Sequence, residues 1–177
     1  MNLNLLYQIW RSTQGKSCAI IYLMPDSNLE ILRKETLIKL IENSVGSRMF
    51  NSVLVRFKGK DEIKDVLKNG EYSCAFFVSS LLYLTKLIDE PHATVKSTEA
   101  FLLKSNDWKK IPLADVKTGD VVVWEKRSFS DGSEHAHMGF VLGEKEAVST
   151  NSEQKKVVRH HIGAGERTVS AVYRSID

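Results

Sequence analysis

Apolar positions follow helical spacing in the first half of the chain and strand-like alternation in the second. Leu3, Leu5, Leu6, Ile9 and Trp10 make a short apolar helical stretch, broken by the polar residues 12–16. The apolar run over residues 18–24 ends at Pro25 and reads as a strand or packed segment. From Ser27 or Asn28, the positions Leu29, Leu32, Ile38, Leu40 and Ile41 suit an amphipathic helix that ends near residues 43–46. Residues 53–57 alternate as a strand, Lys58-Gly59-Lys60-Asp61 makes a turn, and residues 62–69 fit either a helical turn or a second strand. Gly70 breaks the chain again. Beyond it Phe77, Val78, Leu81, Leu82, Leu84 and Ile88 recur at helical spacing. That predicts a helix with this face buried, capped by Ser73 and stopped by Asp89-Glu90-Pro91. A shorter helix, capped by Thr94 or Ser97, runs through Leu102 and Leu103.

The second half reads as short strands over residues 108–111, 120–124, 137–142, 147–151, 156–162 and 168–174. Thr118-Gly119, Ser130-Asp131-Gly132, Gly143-Glu144-Lys145 and Gly163-Ala164-Gly165 supply the turns, and the spacing suits an antiparallel meander. Helices first and strands afterwards predict an α+β fold, with N-terminal helices packed on one side of a C-terminal antiparallel sheet. No linker-like stretch divides the helices from the strands. We therefore read one domain over residues 46–177, with residues 1–45 as an N-terminal helical extension that either covers a cleft or extends the core.

Composition narrows the function classes. A chain of 177 residues, 42% hydrophobic and 27% charged, is long enough for one well-buried soluble domain. The net charge of +3 comes from interspersed lysines and glutamates without a basic run, so no nucleic-acid partner is implied. No apolar run approaches the ~20 residues of a membrane helix. The run over residues 18–24 is short and lacks a small-residue cleavage site, so no signal peptide is read. The two cysteines make no disulfide framework, which together with the missing signal suggests a cytoplasmic compartment. No cofactor is implied.

The candidate chemistry starts at Cys74. At a helix start it lies among N–H groups without intrahelical acceptors, and the helix dipole there favours a thiolate; its bland alternative is a small buried apolar residue. The stretch His135-Ala136-His137-Met138-Gly139 offers an imidazole, with His135 and His137 on one strand face. Gly139 leaves open space beside His137, suited to a helix end or a substrate backbone. A third residue would orient the imidazole. If Gly143-Glu144-Lys145 forms the loop, Leu142 faces Glu146, His137 faces Asn151 and Ser149 faces Gly139, which assigns the role to Asn151. A shorter turn would bring Thr150 or Ser152 round instead, and Asn151 also suits the start of the turn Asn151-Ser152-Glu153-Gln154. Tyr72 either donates its hydroxyl to an oxyanion or belongs to the core. Asp120 suits the turn after Gly119, Cys18 is structural, and His160 and His161 alternate faces, so at most one joins a site. A metal set of Cys74, His135, His137 and His160 or His161 lacks the usual ligand spacings, so no metal is read.

Three motifs in order carry a resemblance. Tyr72-Ser73-Cys74, Lys117-Thr118-Gly119-Asp120-Val121-Val122-Val123-Trp124 and His137-Met138-Gly139-Phe140-Val141-Leu142-Gly143 resemble the NlpC-type and CHAP-type peptidases of the papain-like fold. Trp108-Lys109-Lys110-Ile111-Pro112-Leu113 is similar to the segment leading into that family's Gly-Asp strand, and the resemblance spans about residues 68–174. It implies a papain-like fold, a nucleophile at Cys74, a base at His137 and a polar third residue on the next strand. Without an insertion that third position falls at Ser149, where the family often has His. It also implies a peptide or peptidoglycan-like substrate. The family's usual Asp-Cys-Ser-Gly is Ser73-Cys74-Ala75-Phe76 here. The expected activity is hydrolysis of an amide bond by Cys–His nucleophilic catalysis. An acyltransferase on the same fold shares every residue named, and a non-catalytic binding module retaining the fold is a third reading.

Overall fold

A computed structural model describes residues 30–128, 132–163 and 167–176 of the chain. The expected elements before residue 27, Cys18 and the tips of two expected turns lie outside the described residues. The chain divides into a unit of Met1–Ile31 and a unit of Leu32–Asp177, and every element below belongs to the second. Three helices come first: α1 (Arg33–Ser44), α2 (Cys74–Leu84) and α3 (Val95–Lys104). A small hairpin, β1 (Leu54–Arg56) with β2 (Ile63–Asp65), lies between α1 and α2, so the ambiguous residues 62–69 begin as a strand. Six strands follow as one antiparallel sheet: β3 (Trp108–Ile111), β4 (Val121–Ser128), β5 (Glu134–Val141), β6 (Glu146–Asn151), β7 (Lys156–His161) and β8 (Val169–Ser175).

The sheet order is β3-β8-β4-β5-β6-β7. The expected meander holds from β4 to β7, but β8 returns to lie between β3 and β4. Turn residues specify neighbouring strands and carry no information on such a long-range insertion. One ion pair fastens the returning strand. The carboxylate of Asp120, only 2% exposed, takes Arg174 Nε at 2.8 Å and Nη2 at 2.7 Å, and also accepts from Lys117 N–H. Asp120 therefore ties the turn before β4 to β8.

Strand alternation divides the sheet into two apolar faces. Val121, Val123, Met138, Phe140, Val148, Val157, Ala171 and Tyr173 face the helices, which contribute Leu37 and Ile41 from α1, Phe77, Val78, Leu81 and Leu82 from α2, and Leu102 from α3. Val122, Trp124, Val141, Ala147 and Val172 make the opposite face, covered by Ile111, Val116, Ile162 and Val169. Helix α2 is apolar on most of its circumference because it is the central helix. Its Phe77 ring packs edge-on against Phe50 at 5.0 Å and Phe140 at 5.7 Å. Leu84, expected on the buried face, is exposed in the last turn. Among the described residues no helix is long and apolar enough to cross a membrane.

Candidate active site

The loop before α2 is fastened at several points. Asp65 Oδ1 accepts the N–H groups of Val53 and Leu67, and its Oδ2 accepts that of Asn69. Gly70 has φ +90°, and a Cβ there would lie 2.8 Å from the Asn51 side chain, so only glycine fits without displacement. Ser73 precedes the helix in αR conformation, and its hydroxyl donates to Gly70 O rather than accepting from the helix. The first-turn N–H groups of α2 are thus left without a side-chain cap. Cys74 Sγ takes up part of this donor field, with the N–H groups of Cys74 and Ala75 and, from β5, that of Met138 directed at it.

These donors and the charge of Arg167 favour the thiolate, but burial is the larger effect and pushes the Cys74 thiol above its ordinary value. The helix start alone suggests a thiolate; the packing of α2 under the sheet reverses that outcome.

His137 reaches the same cleft from β5. β5 pairs with β6 at Phe140↔Val148 and Val141↔Ala147, and Leu142 N–H donates to Glu146 O, which is the register expected from a Gly143-Glu144-Lys145 loop. Continuing that register sets Ser149 opposite Gly139. A Cβ at Gly139 would meet Val148 O at 2.5 Å and Ser149 Cβ at 2.9 Å. The missing side chain therefore admits β6, not a substrate backbone. Ser149, 2% exposed, consequently lies with its Oγ 2.9 Å from His137 Nε2 and 2.8 Å from His160 Nε2. His160 Nδ1 lies 2.9 Å from His161 O, and both imidazoles lean on the Trp124 ring, at 5.3 and 5.4 Å. Burial, then the charges of Arg167 and His160, lower the pKa of His137 to about 3, so the imidazole is neutral at rest.

Asn151 is not the hydrogen-bond partner of His137. Its Oδ1 accepts the N–H groups of Glu153 and Gln154, so the side chain holds the turn that starts there. The side chain opposite a histidine across two strands has to compete with its own local turn, and here the turn wins. Tyr72 lines the cleft wall, with its ring 4.7 Å from that of His135 and its hydroxyl accepting from Lys68 Nζ. His135 itself bonds Ser133 through Nε2. His160 is the residue the sequence leaves undecided; its place opposite Ala147 and beside Ser149 is legible only once β6 and β7 are paired.

The cleft has a volume of about 640 Å³ and takes in Cys74, His137, Ser149, His160, Tyr72 and Arg167. A half-buried thiol, a neutral imidazole and N–H donors without a side-chain cap at a helix start are the parts of nucleophilic acyl transfer.

No curated protein matches the chain. Among solved structures, the chain is similar to NlpC2 from Trichomonas vaginalis, with a TM-score of 0.50 and 14% identity over 82% of this chain. The chain spans about half that protein's length, 47%. The likeness gives the fold, which is papain-like. A family model described as bacteriophage peptidoglycan hydrolase matches residues 66–174, a span that holds Cys74, His137, Ser149, His160 and Arg167. The chain belongs to this family of bacteriophage peptidoglycan hydrolases.

Proposed function

We propose that the chain cleaves an amide bond in the peptide part of peptidoglycan, with Cys74 as nucleophile and His137 as base. The observation that carries this reading is the engagement of His137 Nε2 by Ser149 in the cleft that holds Cys74. A carbonyl only accepts, so the contact of His160 Nδ1 with His161 O assigns that nitrogen its proton. With that as its one ring proton, His160 accepts the Ser149 hydroxyl proton at Nε2, and the Ser149 oxygen accepts N–H from His137 Nε2. Neutral His137 is left with a bare Nδ1. Ser149 thus takes the orienting role, with His160 behind it, and Asn151 stabilises the adjoining turn.

At rest both thiol and imidazole are neutral, so the proton moves only as the sulfur attacks. His137 Nδ1 takes the thiol proton while Sγ bonds to the carbonyl carbon. The backbone N–H groups at the start of α2 receive the oxyanion, and Tyr72 walls the site. The His137 imidazolium then protonates the leaving amine as the C–N bond breaks, giving an acyl thioester on Cys74. Water, deprotonated by His137 Nδ1, attacks the thioester; the acid departs and the thiol regains its proton.

Digestion of purified peptidoglycan tests the reading. Wild type should release new amine and carboxyl ends in equal amounts, and Cys74→Ala and His137→Ala should release none while keeping the thermal transition of the fold. Equal release by Cys74→Ala would refute it.

A further inference from the structure

Arg167 is the unexplained charge of the cleft. The other partly buried arginine near it in sequence shows how this fold treats a structural guanidinium: Arg174 fills its fork with both oxygens of Asp120 and the carbonyl of Asp115. Arg167 is half-buried in the cleft wall two residues before β8, and the stretch is pinned by Glu125 N–H donating to Thr168 O. Its Nη1 is buried, yet it has no hydrogen-bond partner among the described residues. Cys74 and a second cation, Arg127, are within its electrostatic reach.

A buried guanidinium N–H without an acceptor, repelled as well by a second arginine, is a costly arrangement that an anion would relieve. Among the described residues no acceptor satisfies this N–H, and burial favours the protonated form of the Cys74 thiol. The cleft is lined by the cations Lys96, Lys126, Arg127 and Arg167 against the anions Glu71 and Glu134. A planar fork with an open N–H edge matches a carboxylate better than any other common peptide group.

We infer that Arg167 is a substrate-binding residue for a free carboxylate close to the amide bond being cleaved. The inference rests on the hydrolase reading for its substrate, and it makes the enzyme selective for peptidoglycan peptides whose acid groups are not amidated. The carboxylate binds Arg167, offsets its repulsion by Arg127 and sets the carbonyl over Cys74.

Two probes test it. The first compares peptidoglycan before and after conversion of its free carboxylates to carboxamides with carbodiimide and ammonia. Wild type should digest the native material faster by about 10- to 100-fold, the range of a charged hydrogen-bonded contact. Arg167→Gln should digest native and amidated material alike, and Arg167→Lys should keep only part of the preference. The second needs no hydrolysis and compares iodoacetate with iodoacetamide at Cys74, read by mass spectrometry. The iodoacetate to iodoacetamide rate ratio should fall about tenfold or more from wild type to Arg167→Gln. An unchanged ratio, or equal digestion of both materials by wild type, overturns the carboxylate site while leaving the hydrolase reading intact. A wild type that digests neither material but retains the iodoacetate preference refutes the hydrolase reading and keeps the anion site. If Arg167→Gln does not fold, the wild-type comparison of native and amidated material decides.

Discussion

Ser149 touches His137 only because Gly139 is a glycine. The space a Cβ would fill at Gly139 is occupied by Val148 O at 2.5 Å and Ser149 Cβ at 2.9 Å. That close approach brings the Ser149 hydroxyl to 2.9 Å from His137 Nε2. Gly139→Ala should therefore separate β5 from β6 and lose the hydrogen bond along with packing. Overpacking of this kind costs about 1–3 kcal/mol, which urea denaturation would register, and peptidoglycan hydrolysis should fall by more than the remaining folded fraction explains. Full activity in Gly139→Ala would mean that the strand separation does not position the base.

The orientation of protons along His160, Ser149 and His137 gives a prediction that a packing role would not share. His160→Phe keeps a ring against Trp124 but removes the acceptor for Ser149, so the hydroxyl is free to turn and donate to His137 Nε2. That stabilises the tautomer with the proton on Nδ1, the wrong one for attack. We expect kcat to fall by about 10-fold or more with KM little changed, because general-base catalysis is itself worth about 100-fold or more. His160→Gln, whose side-chain oxygen accepts from Ser149, should recover a good part of it. Nitrogen NMR of the His137 ring should show the Nε2–H tautomer in wild type and a mixture in His160→Phe. The same tautomer in both proteins would remove His160 from the positioning chain.

What could be read from the sequence here depended on the range of the interaction. Cys74 at a helix start, Thr94 as a cap accepting from Ser97 N–H, and the β5–β6 register are local, and turn residues and periodicity specify them. The insertion of β8 between β3 and β4 and the meeting of Ser149 with His160 join residues through the whole sheet, where no local signal exists. Which of the two effects on the Cys74 thiol prevails, helix dipole or burial, was not legible for a related reason. A helix start is visible in sequence, whereas the depth at which α2 is buried is a property of the packed molecule.

Asn151 sorts turn from catalysis. Its Oδ1 holds Glu153 and Gln154 N–H groups, so Asn151→Ala should lower stability by about 1 kcal/mol while leaving kcat within about twofold, as for loss of a comparable side-chain cap. Ser149→Ala should do the opposite, with hydrolysis falling well before stability does. Rate and denaturation measured on both variants check the pair. A large kcat loss in Asn151→Ala with a normal turn would restore Asn151 to the base.

The pH behaviour follows from two displaced titrations. His137 titrates near pH 3 in the folded protein against an ordinary value of 6.5. Between those values the unfolded chain takes up a proton that the folded chain refuses, so this residue's contribution to stability is complete above about pH 6.5 and is lost as the pH falls towards 3. His137→Gln should weaken this acid sensitivity, and urea midpoints at pH 7 and pH 4.5 should differ less in the variant than in wild type. Cys74 moves in the other direction, its thiol raised by burial. Alkylation of Cys74 by iodoacetamide should therefore keep rising beyond pH 9 in the free enzyme and show no plateau near neutrality. A plateau already reached below pH 7 would mean that the resting site holds a thiolate–imidazolium pair, and the neutral pair from which the proposed attack begins would be wrong.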